Sequence, residues 1–154
     1  MKIRKSTEKD FAGMMEVAKR LYPTWFDKTA INESMPVDLK IHKGYIAEED
    51  GKIVGFITYT SDKGKIEISW IGIDPNYQRR GIGSKLLKRL ESGLRQIGVK
   101  ELRVKTVAES TIYKPYDQTR AFYRKMGFEV EKVEKVWSKD TGKEFDLATF
   151  VKKL

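Results

Sequence analysis

The sequence predicts a mixed α/β fold built on one sheet, an interpretation that rests on chain length and on the order of two hydrophobic periods. The chain has 154 residues, which is enough to bury the core of one compact domain but not of two. Residues 44–73 contain runs of extended character, whereas residues 82–97 repeat apolar side chains at helical spacing. We therefore expect a single domain over residues 1–154.

The N-terminal part of the chain predicts one short strand and two helices. Residues 2–5 are extended in character, and Ser6 and Thr7 offer N-cap oxygens for a helix that ends near Pro23. Residues 24–43 show no clear period. We expect a short second helix with loops there, exposed enough to shape a substrate pocket.

The middle of the chain predicts three strands followed by a long helix. The strand-like runs cover residues 44–50, 52–61 and 65–73, and they are separated by turn signals at Asp50-Gly51 and at residues 62–64. The helix that follows ends at Gly98, and its apolar face comprises Ile82, Leu86, Leu87, Leu90, Leu94 and Ile97.

The C-terminal part predicts three more strands and a last helix. Residues 101–108 read as a fifth strand, which can lie parallel to the fourth because a helix separates the two. A helix over about residues 117–126 ends at Gly127. Two final extended runs flank a turn at residues 138–142, and we expect Trp137 to pack in the sixth strand.

Composition excludes several classes of site. The chain has no cysteine, which excludes disulfides and thiolate chemistry. It has a single histidine, His42, which leaves too few imidazoles for a histidine-rich metal site. No metal site is expected. Because the sequence has neither a signal peptide nor a long apolar run, we expect a cytoplasmic protein without a membrane partner.

The positive charge is concentrated in one segment. The net charge is +9, and residues 78–120 hold 11 basic and 4 acidic side chains. Such a segment favours an anionic partner, of which nucleic acid is one candidate.

The basic segment begins with a motif that is suited to phosphate. In DPNYQRRGIGSKLL, residues 74–87, two glycines and two arginines directly precede a helix. Unpaired N–H groups and the helix dipole at such a turn favour an anion. A dinucleotide fingerprint would need a third glycine at the position of Leu86, so that interpretation fails. The glycines alone are equally compatible with a tight turn that binds nothing.

Two motifs resemble one family. WIGIDPNYQRRGIGSKLL is similar to motif A of the GCN5-related N-acetyltransferase (GNAT) superfamily, and TRAFYRKMGFE, residues 119–129, is similar to its motif B. The motifs occur in the family's order, with a strand between them. The resemblance implies a twisted mixed sheet of about seven strands with about four helices, in which the fourth and fifth strands splay apart.

The resemblance also implies a cofactor site for acetyl-coenzyme A. The main chain of the fourth strand would bind the pantetheine arm, and the amides after it would wrap the pyrophosphate. The implied residues are Ile71, Ile73, Gln78, Arg79, Arg80, Gly81, Ile82, Gly83 and Ser84. Since coenzyme A is a polyanion, the localised charge no longer requires nucleic acid, and none is expected. Many members carry an asparagine seven residues before the motif B tyrosine, where this chain has Tyr116.

Tyr123 and Glu67 are the candidate catalytic residues. Tyr123 matches the motif B tyrosine that the family commonly uses as a proton donor to the leaving thiolate, although a tyrosine packed on the core is the alternative. Glu67 lies six residues before Ile73, the spacing at which one branch of the family carries its base; a glutamate paired with a lysine is the alternative. Alternation predicts that Glu67, Ser69, Ile71 and Ile73 share one strand face.

Further residues are candidates for contact with the acceptor. His42 is an alternative proton acceptor, since histidine exchanges protons near neutrality, but a lone histidine is more often a surface or packing residue. Aromatic residues in loops either line an acceptor pocket or cover the edge of the core, and here these are Trp25, Phe26, Tyr113 and Tyr116.

The sequence thus predicts an acetyl-coenzyme A-dependent N-acetyltransferase that acts directly on a primary amine of a small molecule or a protein. The alternative is a non-catalytic domain that senses acetyl-coenzyme A, or one that binds nucleic acid through residues 78–120. A homodimer that pairs two chains through the last strands is a further expectation.

Overall fold

A computed structural model describes residues 1–154, which form seven strands and four α-helices. The strands are β1 (Lys2–Lys5), β2 (Lys43–Glu49), β3 (Lys52–Asp62), β4 (Lys65–Ile73), β5 (Glu101–Val107), β6 (Glu129–Ser138) and β7 (Lys143–Lys153). The α-helices are α1 (Phe11–Arg20), α2 (Met35–Ile41), α3 (Ile82–Gln96) and α4 (Pro115–Lys125). The predicted mixed architecture, with its numbers of strands and helices, is confirmed.

The strands form one sheet in the order β1-β2-β3-β4-β5-β7-β6. All neighbouring strands are antiparallel except β4 and β5, which are parallel. Parallel neighbours need a crossover connection, and α3 supplies it. The carboxyl ends of β4 and β5 therefore lie at the same edge of the sheet, directly before α3 and α4.

Thr7 lies at the N-cap of the first helical segment, which is one of the two positions predicted for the cap. Its main-chain N–H donates to the Asp10 carboxylate at 2.7 Å, and a short 3₁₀ turn over Glu8–Asp10 leads into α1. The Arg4 guanidinium lies 2.8 Å from the same carboxylate and keeps the pKa of Asp10 below its usual range. The start of α1 is thereby tied to β1.

Helices cover both faces of the sheet and produce two hydrophobic clusters. A cluster of 17 buried residues lies under α3 and includes Tyr123 of α4, while a second cluster of 10 lies under α1 and α2. Most of the predicted apolar face of α3 is buried, but Ile97 is 72% exposed. Its predicted place on that face is wrong because the α-helix ends at Gln96, before Ile97 is reached.

The strand β6 lies at the edge of the sheet and is largely exposed. Val133 and Trp137 both face solvent, and Trp137 is 68% exposed. The prediction that Trp137 packs in this strand is therefore wrong, because no helix covers this part of the edge. Association of two chains through this edge stays a prediction. None of the helices combines the length and the apolar character that crossing a membrane requires.

Candidate active site

The site begins where β4 and β5 separate. These strands pair only through Ile66–Leu102, Glu67–Arg103 and Ile68–Val104. Beyond this point β4 continues to Ile73 and β5 to Val107, with no pairing between them. A gap with unpaired main-chain groups opens within the sheet, as the resemblance implied.

A β-bulge lies at the start of this gap. Thr58 pairs with Trp70 and Tyr59 pairs with Ile68, so Ser69 is an extra residue on β4 without a partner on β3. Its hydroxyl lies 2.7 Å from the Thr58 hydroxyl.

The bulge reverses the alternation of side chains along β4. Ile68 and Ile71 both pack against the cluster under α3, although they are three residues apart, and Trp70 packs against the cluster under α1 and α2. Glu67 precedes Ile68 and so lies on the Trp70 face. The prediction that Glu67 shares a face with Ile71 and Ile73 is wrong, because one inserted residue shifts the period of two.

The main-chain groups of Ile71 and Ile73 point into the gap. The Val54 carbonyl accepts from the Asp74 N–H at 2.8 Å, so the main chain of Val54 points toward β4. A Cβ added to Gly44 of β2 would lie only 2.0 Å from the Ile57 carbonyl oxygen, so the main chain of Ile57 points toward β2. Its partner Ile71 on β4 therefore points away from β3. Ile73 follows two residues later with the same orientation. An extended ligand in the gap would meet these groups as it would meet those of a neighbouring strand.

The loop before α3 presents free main-chain amides. Gly81 precedes the helix with φ 75° and makes no side-chain cap, and Arg79 also has a left-handed conformation with φ 63°. The first helical hydrogen bond is that from the Lys85 N–H to the Gly81 carbonyl at 3.1 Å. The amides of residues 82–84 therefore lack helical partners, which is the arrangement that binds phosphate.

The same loop is anchored by groups that sequence reasoning missed. Asp74 is fully buried, and its carboxylate lies 2.7 Å from the Arg20 guanidinium and accepts from the Asn76 N–H at 2.9 Å. The Gln78 side chain donates to the Ile73 carbonyl at 3.2 Å, so Gln78 holds the loop against the end of β4. The Asp-Pro-Asn sequence is a turn signal that could have revealed Asp74, whereas nothing local marks Arg20.

A cavity of about 640 Å³ connects this loop with the gap. Its walls include all nine predicted cofactor-binding residues except Arg80. The Arg80 guanidinium instead lies over the Tyr77 ring at 4.9 Å, outside the cavity wall. The structure thus brings together the predicted strand and loop residues in the wall of one cavity.

Tyr123 lines the cavity from α4. It is 2% exposed, and its ring packs against Phe122, Phe128 and Phe150 at centroid distances of 5.3, 5.5 and 6.0 Å. Burial, with a smaller contribution from Tyr116, raises the pKa of the Tyr123 phenol well above its usual value. The phenol therefore stays protonated at neutral pH and can donate a proton.

Glu67 does not line the cavity with Tyr123. Its carboxylate lies 3.7 Å from the Lys105 ammonium group, on the part of β4 that still pairs with β5. The two predicted catalytic residues are therefore not brought together in the wall of one cavity. A base role for Glu67 stays a prediction.

Aromatic side chains line the end of the cavity nearest α1. Trp25, Phe26 and Tyr116 contribute to the wall, whereas Tyr113 does not. The hydroxyls of Tyr116 and Tyr113 donate to the carbonyls of Trp25 and Thr24 at 2.8 and 2.7 Å. These two bonds join the start of α4, and the loop before it, to the segment after α1.

The turn between β6 and β7 lies against the segment before α2. The Lys139 ammonium group lies 2.8 Å from the Glu33 carboxylate, and the Thr29 N–H donates to the Asp140 carboxylate at 3.3 Å. Phe145 and Leu147 of β7 also line the cavity. This end of the cavity is therefore lined by residues far apart in the sequence.

A comparison with protein families decides the identification. The family model described as the acetyltransferase (GNAT) domain matches residues 40–130, which is more than half of the chain. The chain belongs to the GNAT acetyltransferase family. This GNAT protein is an N-acetyltransferase, and acetyl-coenzyme A is its acyl donor.

Individual proteins agree with this family. The uncharacterized N-acetyltransferase MJ1530 of Methanocaldococcus jannaschii is 29% identical over 138 residues, covering 86% of this chain and 81% of that protein. An amino-acid acetyltransferase of Azotobacter vinelandii is 28% identical over 140 residues; these are 88% of this chain but only 29% of that longer protein. The structure of yncA from Salmonella typhimurium with acetyl-coenzyme A has a TM-score of 0.74, 22% identity and coverage of 100% and 94%.

The residues of this GNAT protein fit acetyl-coenzyme A on their own chemistry. The uncapped amides before and within the first turn of α3 suit a pyrophosphate, and Arg79 adds a positive charge beside them. The unpaired main chain of β4 suits the amide-containing pantetheine arm. No group of three or more potential metal ligands occurs in the structure.

Proposed function

We propose that the chain transfers the acetyl group of acetyl-coenzyme A directly to a primary amine, with Tyr123 as the proton donor. The observation that carries this proposal is the gap between β4 and β5, which has free main-chain groups on one side and the Tyr123 ring in the same cavity wall. A cofactor arm held in that gap would end close to a buried, protonated phenol.

The chain's own groups would divide the work along the cavity. The amides of residues 82–84, with Arg79, would hold the pyrophosphate, and the Ile73 N–H would hold the arm. The Ile73 carbonyl is already engaged by Gln78. The Ile71 N–H would donate to the thioester carbonyl and stabilise the negative charge that develops on its oxygen. When bound, the cofactor supplies an acetyl group activated as a thioester.

Tyr123 would protonate the leaving sulfur. A thiolate leaves more readily when a nearby acid supplies a proton, and positioned acids contribute rate factors of about 10² to 10⁴. The raised pKa of Tyr123 keeps the proton on the phenol until the thiolate forms. Burial among three phenylalanine rings fixes the ring and excludes competing water.

The acceptor amine must lose a proton before it attacks. Glu67 is one proposed base, and it would act through water, since Glu67 does not line the cavity, although Lys105, 3.7 Å from its carboxylate, does.

The lining of the acceptor side favours a primary amine on an apolar or aromatic group. Trp25, Phe26 and Tyr116 form an aromatic surface there, and aromatic faces also attract ammonium groups. Asp27 is the only acidic residue in the cavity wall. A polyamine, which needs several carboxylates, fits this wall poorly.

Release of free thiol tests the proposal. Acetyl-coenzyme A is supplied with 2-phenylethylamine, phenylalanine, an alanyl peptide or spermidine, and thiol release is followed over time. We expect release with at least one of the first three and the slowest release with spermidine. Binding of acetyl-coenzyme A in calorimetry without thiol release for any amine would refute transfer and favour a sensor.

A further inference from the structure

The bulge residue Ser69 connects the cavity with the only histidine of the chain. Ser69 lines the cavity, and its hydroxyl lies 3.0 Å from Nδ1 of His42. The Thr58 hydroxyl completes the surroundings at 2.7 Å from the Ser69 oxygen. His42 follows the end of α2, and its side chain is 16% exposed. It can therefore reach solvent on one side and Ser69 on the other.

Asp38 orients the imidazole from its far side. One carboxylate oxygen of Asp38 accepts from the indole N–H of Trp70 at 2.9 Å, which fixes the carboxylate. The other oxygen lies 3.8 Å from Nε2 of His42. This negative charge favours a proton on Nε2 and leaves the Nδ1 lone pair directed at Ser69.

We propose that Ser69 and His42 form the route by which the acceptor ammonium group loses its proton. This inference rests on the proposed acetyl transfer. Ser69 contacts the acceptor and is the catalytic residue of the pair, while His42 acts through it as a positioning residue and proton acceptor. The route is complete without a bridging water, because the serine oxygen lies within hydrogen-bond distance of Nδ1.

The proton transfers balance. An N–H bond of the acceptor ammonium breaks as the Ser69 oxygen takes that proton, and the original Ser69 proton passes to Nδ1 of His42. The neutral amine then forms the C–N bond while the C–S bond breaks, and Tyr123 gives its proton to the sulfur. The nitrogen passes its second proton to the Tyr123 oxygen, and His42 returns one proton to solvent.

The position of the bulge supports this route over Glu67. Ser69 lies beyond the last β4–β5 pair, at the apex of the gap, whereas Glu67 lies within the paired segment. Of the charged groups on this face, Asp38 approaches the imidazole from α2, and Glu67 on β4 is held by Lys105. Thr58 and Ser69, from β3 and β4, are neutral. The bulge thus turns a strand residue into a connection between the cavity and His42.

Nuclear magnetic resonance of the imidazole tests the geometry without any turnover. The chain has one histidine, so ¹⁵N labelling of an untagged protein gives one pair of ring signals. At alkaline pH we expect the tautomer protonated on Nε2, and a changed Nδ1 shift in Ser69→Ala. The tautomer protonated on Nδ1 in the wild type, or an Nδ1 signal unaffected by Ser69→Ala, would overturn the proposal.

Kinetics test the role. With the best amine of the panel above, Ser69→Ala and His42→Ala should each lower kcat about 100-fold, the low end of general base contributions. Binding of coenzyme A should be unchanged in both. Ser69→Thr keeps a hydroxyl and should retain most of the activity, and added imidazole should partly restore His42→Ala. Thr60→Ala, which removes a hydroxyl on the same face of β3, is the matched control and should behave as wild type.

The kinetic results distinguish failure of the proton route from failure of acetyl transfer itself. A kcat for His42→Ala close to the wild-type value would overturn the proton route while acetyl transfer stands. So would a loss in His42→Ala that imidazole does not relieve, together with an equal loss of kcat in Ser69→Thr and Ser69→Ala. Thiol release that is absent in the wild type with every amine would refute the proposed function instead, and the ring tautomer would still decide whether Ser69 and His42 are coupled.

Discussion

Replacing Tyr123 with phenylalanine removes the proposed acid and very little else. The ring contacts with Phe122, Phe128 and Phe150 are made by carbon atoms and persist in the variant. Burial and a neighbouring phenol are the only causes of the raised pKa, with no hydrogen bond among them. Phenylalanine therefore leaves no buried partner unsatisfied, and the free energy of unfolding should change by less than about 0.5 kcal/mol.

The effect on turnover should be much larger. Loss of a positioned acid costs about 100-fold or more in rate, which corresponds to roughly 2.7 kcal/mol in the activation barrier. The assay is steady-state thiol release with saturating acetyl-coenzyme A, accompanied by calorimetry for cofactor affinity and urea unfolding for stability. Affinity and stability should both match the wild type.

Tyr59→Phe provides the matched control. Tyr59 packs against the same hydrophobic cluster, and burial also raises the pKa of its phenol, but it does not line the cavity. Its replacement should leave kcat unchanged. A Tyr123→Phe enzyme with kcat within about threefold of wild type would refute the reasoning, since a general acid contributes far more than that.

Three further predictions concern the surroundings of the cavity. Glu67→Gln should change kcat and its pH profile by less than about threefold if the proton leaves through Ser69, whereas a displaced acid limb in that profile would make Glu67 the base. Arg79→Gly relieves a left-handed conformation and should raise the free energy of unfolding by up to about 1 kcal/mol while weakening coenzyme A binding in calorimetry; lower stability with unchanged affinity would contradict this. Burial raises the pKa of Tyr116 to about 12, so the folded state favours the neutral phenol. The stability that this preference contributes is fully present below the ordinary tyrosine pKa of about 10 and is lost as the pH rises from about 10 toward 12. At neutral pH the free energy of unfolding of Tyr116→Phe should be about 1 kcal/mol lower than that of the wild type, because the variant lacks the hydrogen bond to the Trp25 carbonyl. As urea unfolding is repeated toward pH 12, the free energy of unfolding should fall by up to about 2.7 kcal/mol more in the wild type than in the variant. An equal fall in both proteins would show that burial does not set the pKa of Tyr116.

Much of the fold could be predicted because its signals are local. The turn at Asp50-Gly51, the apolar face of α3 and Gly127 after α4 each report on a few neighbouring residues. Their order then leaves few topologies, since a helix between two strands permits parallel pairing. The cofactor loop could be predicted for the same reason, because its glycines and arginines lie within one short stretch of sequence.

The acceptor side could not be predicted because it depends on pairing between distant segments. The bulge at Ser69 exists only in the register of β4 against β3, and alternation within β4 alone places Glu67 on the wrong face. The coupling of Ser69 with His42 joins residues 27 positions apart. Contacts between such distant residues produce no periodic pattern in the sequence.

Only the three residue pairs between β4 and β5 connect the two halves of the sheet, β1–β4 and β5–β7, by strand pairing. Beyond them, two strands expose unbonded edges to the interior of the molecule, the kind of edge that proteins usually cover because foreign strands adhere to it. The pantetheine arm would cover these edges. Cofactor binding should therefore slow amide hydrogen exchange on both strands, and the enzyme should be most prone to misassembly when its donor is scarce.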